Sequence, residues 1–296
     1  MIYDLIIVGN GCAGMSAAIY AKRNNLNVLV IASGPVGGLI NETNVVDNYL
    51  GFEGISGPDL AYKMYKHFKS YNIEQIKEKV IEIVNNNGIN IIKTNNNEYK
   101  SLSLIIATGR RHKKLPVANA NLYEEKGISY CAICDGNLYK NKNVVIVGAG
   151  NSALEEGIYL TNICNKVTLL VRSDKIKGDA SLAEDFINRD NTEVMYNTEI
   201  ISINGQDKVE SVTLKSGDIL KTDGIFVYIG FEPTTDILKN LPITNELGYI
   251  NVDSNQETPI KGVFACGDVV NKKVYQIVTA VSEGAVAAIN AGKYKN

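Results

Sequence analysis

Long hydrophobic runs, blocks of a single charge and a cysteine framework are all missing from this sequence, and each absence excludes a class. No uninterrupted apolar stretch approaches the ~18 residues that a membrane span needs, so an integral membrane protein is excluded. The 296 residues carry 30 Lys and Arg against 32 Asp and Glu, a formal net charge of −2, with neither sign gathered into a long block. A nucleic-acid footprint is therefore not expected. Met1 leads almost directly into Leu5-Ile6-Ile7-Val8 and a glycine turn, without the basic and apolar regions of a secretory signal, so a cytoplasmic location is expected. There are 2 histidines and 5 cysteines, an odd number with one close pair, Cys131 and Cys134. That is neither a structural disulfide framework nor the four-ligand set of a zinc site, and no metal is expected.

What is present is an ordinary globular composition, 45% hydrophobic and 21% charged, in a chain long enough for roughly two domains at about 150 residues each. Two segments share one layout. The first has a β-branched strand (Asp4 to Val8), a turn with Gly9, Gly11 and Gly14, a small-residue helix (Ala13 to Lys22) and a second strand (Val28 to Ile31). The second repeats it with Asn143 to Val147, then Gly148, Gly150 and Ala153, a helix from Ser152 to Leu160, and Val167 to Val171. Two βαβ units of this kind imply two nucleotide sites. Each is followed by an apolar strand ending in glycine, at 104–109 and 224–230, and by β meanders at 72–103 and 193–221. The fold class expected is α/β, with two Rossmann-like three-layer nucleotide-binding domains. Proline and polar residues place boundaries near Lys113 to Pro116 and Leu241 to Asn245. The tail, with a strand ending at Gly267-Asp268 and a helix from Ile277 to Asn290, is assigned back to the first domain, so that the second is inserted into it.

In the first turn, Gly9 permits the tight bend, Gly11 lets a pyrophosphate approach the backbone, and Gly14 lets helix and strand pack closely; the helix N-terminus adds its positive dipole end. A tight turn without a ligand is the plain alternative. The acid that would hold a ribose is missing, with Ala32 and Ser33 in its place. After the second unit come Arg172, Ser173, Asp174, Lys175 and Lys177, which favour a 2′-phosphate and hence NADP(H) over NAD(H); a solvated charged loop is the alternative. Cys131-Ala132-Ile133-Cys134-Asp135-Gly136 is a CxxC, whose spacing lowers the pKa of one thiol and permits a reversible disulfide, with an acid beside it to move protons. Cys12, Cys164 and Cys266 read as packed small hydrophobes. His67 and His112 read as surface residues, and the run Arg110-Arg111-His112-Lys113-Lys114 as a solvated link or a docking patch for an acidic partner.

Together these motifs, with Gly37-Gly38-Leu39, Asn48-Tyr49-Leu50-Gly51-Phe52, Ala107-Thr108-Gly109, Ile229-Gly230-Phe231-Glu232-Pro233-Thr234 and Tyr275-Gln276, resemble the low-molecular-weight thioredoxin reductases over essentially the whole chain. The resemblance implies an FAD domain of residues 1–113 and 245–296, an inserted NAD(P)H domain of 114–244 carrying the redox motif, and a homodimer. It implies that Cys134 faces the flavin, that Cys131 attacks the disulfide of thioredoxin, and that Asp135 is the proton donor. It carries FAD contacts to Gly9, Gly11, Cys12, Ala13, Gly14, Ser33, Gly38, Leu39, Asn48, Thr108, Gly109, Gly267, Asp268, Tyr275, Gln276 and Ile277. NADPH contacts fall on Gly148, Gly150, Asn151, Ser152, Ala153, Arg172, Ser173 and Lys177.

Five residues, in three places, depart from the family pattern. Its His-Arg-Arg, three residues, Arg becomes Val171, Arg172, Ser173 and then Lys177; its glutamine after Gly-Gly is Leu39; and its arginine before Gln276 is Tyr275. An ammonium does not reproduce a guanidinium clamp. The altered cluster argues for a ferredoxin-dependent flavin thioredoxin reductase and intact Gly148, Gly150 and Ala153 argue against it, while an FAD-dependent dithiol oxidase, running the CxxC towards oxygen, is a further alternative. A redox-inactive flavin scaffold would leave Cys131, Cys134 and Asp135 without a role.

Overall fold

Apolar runs of four to seven residues, buried along nearly their whole length, form the centre of each half of the molecule; such runs suit parallel strands covered on both faces. The computed structural model describes residues 1–295, so the last residue of the expected segment 245–296 lies outside the described residues. The chain divides into two compact units, Met1–Arg111 with Glu232–Asn296, and His112–Phe231. It is an α/β protein of two Rossmann-like domains, the second inserted into the first.

In the first unit the strand order is Glu74–Ile76, Val28–Ile31, Ile2–Val8, Glu98–Ile106, Ile89–Thr94, Val80–Asn86, with Val263–Ala265 also paired to Glu98–Ile106. The first four strands and Val263–Ala265 run parallel, and the meander is antiparallel. Val8 is in register with Ile31 and Ile106, and Ile106 with Ala265. Four carboxyl ends therefore finish level, which is where open α/β sheets hold ligands. Alternate residues feed two cores: Leu5, Ile7, Val30 and Ile105 pack under the helices Cys12–Arg23 and Ile277–Ala291, while Ile6, Val8, Ile31 and Ile106 pack with Leu238, Leu241 and Ile243. Those last three explain why the chain re-enters the first unit at Glu232 and not near Asn245. Polar residues at 241–245 interrupt the sequence pattern, but the segment before them is already core. The two helices touch closely, since a Cβ on Gly284 would stand 2.2 Å from the Ala13 carbonyl oxygen. Phe264 is fully buried beneath them, a position where truncation to alanine costs about 3–5 kcal/mol.

The second unit has a wholly parallel sheet in the order Thr192–Met195, Lys166–Leu170, Asn143–Gly148, Gly224–Tyr228, Ile128–Ser129. A three-stranded antiparallel sheet, Ile200–Asn204, Ser211–Leu214 and Ile219–Lys221, is the expected second meander. Where the chain passes from one unit to the other, Arg110–His112 and Phe231–Pro233 pair as a separate two-stranded sheet. Among the described residues no helix is long and apolar enough to cross a membrane.

Candidate functional site

Three local structures carry the chemistry, two of them glycine turns. At the first, Gly9 has φ +114°, and a Cβ on it would lie 2.2 Å from the Ala107 carbonyl oxygen; one on Gly14 would lie 2.1 Å from that of Gly9. Only glycine satisfies both. Gly11 then caps the Cys12–Arg23 helix without a side-chain hydrogen bond, and no acid occupies the first turn. Its leading N–H groups are left for an anion. A Cβ on Gly11 would look into open space, the nearest atom being the Gly37 carbonyl oxygen at 4.0 Å. The Gly37 N–H donates to the Asn10 carbonyl at 3.1 Å, which brings Gly38 and Leu39, at the start of the Gly38–Glu42 helical turn, beside Gly11. From the tail, Gly267 packs so tightly on Ala13 that a Cβ would be 2.8 Å from the alanine methyl. Asn48 Nδ2 donates to Gln276 Oε1 at 3.2 Å, just before Ile277 begins its helix. Thr108 Oγ1 donates to the Thr234 carbonyl at 2.7 Å, and Gly109 accepts from the Thr234 N–H at 3.0 Å. Ser33 is exposed, two residues beyond the strand Val28–Ile31.

The second turn has the same plan but is open. Gly148 is pinned, a Cβ there standing 2.5 Å from the Tyr228 carbonyl oxygen, whereas a Cβ on Gly150 would meet nothing within 4 Å. Gly150 caps the helix Asn151–Thr161, again with no side-chain cap and no acid in the first turn. Gly150, Asn151 and Ser152 are exposed and Ala153 is buried. The segment after the second strand folds back onto this turn: the Lys177 and Gly178 N–H groups donate to the Ala149 carbonyl at 2.7 and 3.0 Å, and the Asp179 N–H to Asn151 Oδ1 at 2.8 Å. Lys177 is thereby brought to the turn. Arg172 is exposed, and Ser173 Oγ donates to the Lys175 carbonyl at 2.9 Å.

Cys131 and Cys134 form a disulfide, with Cα atoms 5.3 Å apart. Cys131 caps the short helix Ala132–Asp135, and its sulfur accepts the Cys134 N–H at 3.1 Å. Cys131 is buried and Cys134 exposed. Two residues that the motif reading passed over support the pair. Ser129 Oγ donates to Asp135 Oδ2 at 2.7 Å and accepts the Cys131 N–H at 3.2 Å; Tyr228 Oη accepts the Ala132 N–H at 3.0 Å. Ser129 lies two residues before the first cysteine, a position from which a hydroxyl can reach back into the turn. Nothing local marks Tyr228, which is 96 residues from Ala132 in sequence.

Burial pushes the Cys12 thiol up to about 12 and Cys164 to about 11, and raises Cys266 further, as suits packed thiols that do not react. His67 is exposed. The surface reading of His112 needs correction: it is half-buried, its ring 4.5 Å from that of Phe231, 5.8 Å from Tyr130 and 6.2 Å from Tyr228. Nor is the basic run uniformly solvated. Arg110 Nε lies 3.1 Å from Asp268 Oδ2, and Arg111 pairs with Glu232 and Asp236.

Two sets of parallel strands, two uncapped glycine turns and a disulfide-bonded CxxC define a dinucleotide-binding dithiol oxidoreductase. The family model for Pyridine nucleotide-disulphide oxidoreductase matches residues 3–284, and the chain belongs to that family. It is 40% identical to a thioredoxin reductase of Bacillus subtilis strain 168, over 99% of this chain and 95% of that protein. It is also 43% identical to a 34.2 kDa protein in the rubredoxin operon of Clostridium pasteurianum, over 98% of this chain and 96% of the other. Among solved structures, the thioredoxin reductase of Lactococcus lactis in its FR conformation superposes with a TM-score of 0.91 at 36% identity, covering 99% of this chain and 98% of that one. Family membership implies use of a flavin and a pyridine nucleotide. The residues fit such groups, because each glycine turn leaves uncapped N–H donors beside a space that a Cβ at Gly11 or Gly150 would begin to fill.

Proposed function

We propose that the chain is an NADPH-dependent thioredoxin-disulfide reductase, with FAD held by Met1–Arg111 and the tail, and NADPH by the inserted unit. The observation that carries this reading is the Cys131–Cys134 disulfide, seated at a helix start in a chain with two dinucleotide-type turns. The bound flavin would supply the two-electron relay between nicotinamide and disulfide. The first turn would hold its pyrophosphate at the N–H groups following Gly11, with Gly38, Leu39, Asn48, Asp268 and Gln276 around it. At the second turn, Gly150 to Ala153 would take the pyrophosphate of NADPH, and Arg172 with Lys177 its 2′-phosphate. The Cys134 N–H favours a thiolate on Cys131 once the pair is reduced, which supports Cys131 as the thiol that attacks the thioredoxin disulfide. Because Cys131 is buried, that attack requires it to be uncovered. Asp135, anchored by Ser129, stands one residue from Cys134 and would move the proton during exchange. The family resemblance adds a homodimer, and the chemistry suits the cytoplasm, where thiols are kept reduced.

Ferredoxin as donor and oxygen as acceptor are not favoured, because the Gly150 turn keeps its open, uncapped helix start. Anaerobic mixing of purified protein with NADPH, NADH or reduced ferredoxin tests this, read as flavin absorbance near ~450 nm. Bleaching by NADPH ahead of NADH is the expected result; bleaching by ferredoxin alone overturns the proposal.

A further inference from the structure

Two cations, two carboxylates and an aromatic ring gather around the first turns of the Ile277–Ala291 helix and the segment before it. Arg110 lies with its Cζ 4.6 Å from the Tyr275 ring centroid, while its Nε sits 3.1 Å from Asp268 Oδ2. Lys272 Nζ is 5.5 Å from the same ring, 3.6 Å from Asp268 Oδ1, and 3.0 and 2.9 Å from the two oxygens of Glu283. Glu283 in turn accepts the Gly267 N–H at 2.8 Å. The Tyr249 ring stands 5.8 Å from that of Tyr275. The charged side chains are all between 12 and 22% exposed, so their attractions are only partly screened by water.

We propose that Arg110 and Tyr275 act as one positioning pair, holding the Asp268 carboxylate to accept hydrogen bonds from the bound flavin nucleotide. A guanidinium is flat, so it can stack one face on a ring while an edge addresses a carboxylate; an ammonium cannot do both. Arg110 lies 4.6 Å from the ring centroid and forms a 3.1 Å ion pair with Asp268, which makes the ring the support beside the guanidinium and the guanidinium the positive charge that holds Asp268. Lys272 balances the opposite oxygen. The next residue after Tyr275 is Gln276, already bonded to Asn48, and the residue before Asp268 is Gly267, packed on Ala13 of the first glycine turn. The pair is thus wired into the place where the proposed function seats the flavin, and the inference rests on that reading.

FAD affinity of the apo-protein, by fluorescence titration, and the rise in Tm that FAD confers provide the test. Arg110→Ala and Tyr275→Ala should each raise the FAD Kd about fivefold or more, and the double substitution no further than the worse single one. Tyr275→Phe, which keeps the ring, should fall well short of Tyr275→Ala, and Arg110→Lys should not rescue. Single variants that bind FAD within about twofold of the wild type, or whose effects multiply independently, overturn the proposal. So does a fall in the Tm of the apo-protein with an unchanged FAD-dependent rise, since that is the mark of a purely structural role. Wild-type protein that binds no FAD rejects the flavin reading itself, a result distinct from either.

Discussion

The two glycine turns share a plan and differ in how they are closed. Around Gly9 the chain returns three times: Gly37 pairs with Gly11, Gly267 presses on Ala13, and Gly284 meets the Ala13 backbone. Around Gly150 it returns once, through the segment at Lys177 and Gly178, and Gly150, Asn151 and Ser152 stay exposed. A ligand enclosed by segments from three parts of the chain exchanges slowly, while one on an open turn comes and goes. The same supersecondary unit thus suits a resident cofactor in one copy and a consumable substrate in the other.

The largest expected effect disconnects both turns from their outlet. Cys134→Ser should lower thioredoxin reduction by at least about 10³-fold while NADPH still bleaches the flavin. It should also trap a mixed disulfide through Cys131, and trapping through Cys134 in Cys131→Ser instead would reverse the assigned roles. Next, Gly9→Ala sets a Cβ 2.2 Å from a backbone oxygen at a positive φ, whereas Gly150→Ala meets open space. The first should cost about 3 kcal/mol, seen as a Tm lower by several degrees and loss of bound flavin. The second should leave Tm and flavin content unchanged and raise the KM for NADPH. Equal Tm losses would abolish the distinction between the turns. Arg172→Ala sharpens the comparison at the second turn, raising the KM for NADPH relative to NADH by about 10- to 150-fold if one charge-assisted contact is lost.

The smallest effect belongs to the crossing segment. Arg111 holds the Asp236 carboxyl below the usual carboxylate range, but both side chains are well exposed, at 46 and 63%. Arg111→Ala should therefore cost less than about 1 kcal/mol. Since the folded pKa of Asp236 is lowered, this contribution is present above the unfolded value near ~3.9 and fades as pH falls through the folded one. Denaturant midpoints of variant and wild type should differ at pH 7 and converge in acid.

Local pattern carried much of this architecture. The βαβ units, the meanders and the return of the Val263–Ala265 strand to the first sheet are all visible as apolar periodicity punctuated by glycine, because strand and turn chemistry is written within a few residues. The re-entry at Glu232 is not, since it depends on Phe231–Pro233 pairing with Arg110–His112 across some 120 residues, and on Leu238 finding a core built by other strands. At the candidate site the cysteines and glycines were legible as spacing. Tyr228 and the aromatic setting of His112 were not, because parallel pairing of Gly224–Tyr228 with Asn143–Gly148 is what carries the tyrosine to the dithiol.

The insertion also imposes an order on biosynthesis. Residues 112–231 form a contiguous stretch that can fold as soon as it clears the ribosome, whereas the first unit waits for Val263–Ala265 to join its sheet and for Ile277–Ala291 to cover it. A nascent chain halted near residue 240 would hold a finished dithiol unit beside an unroofed N-terminal sheet, with the apolar face of Cys12–Arg23 uncovered. On the proposed placement of the flavin, cofactor capture therefore waits until Ile277–Ala291 has been made and can cover the sheet.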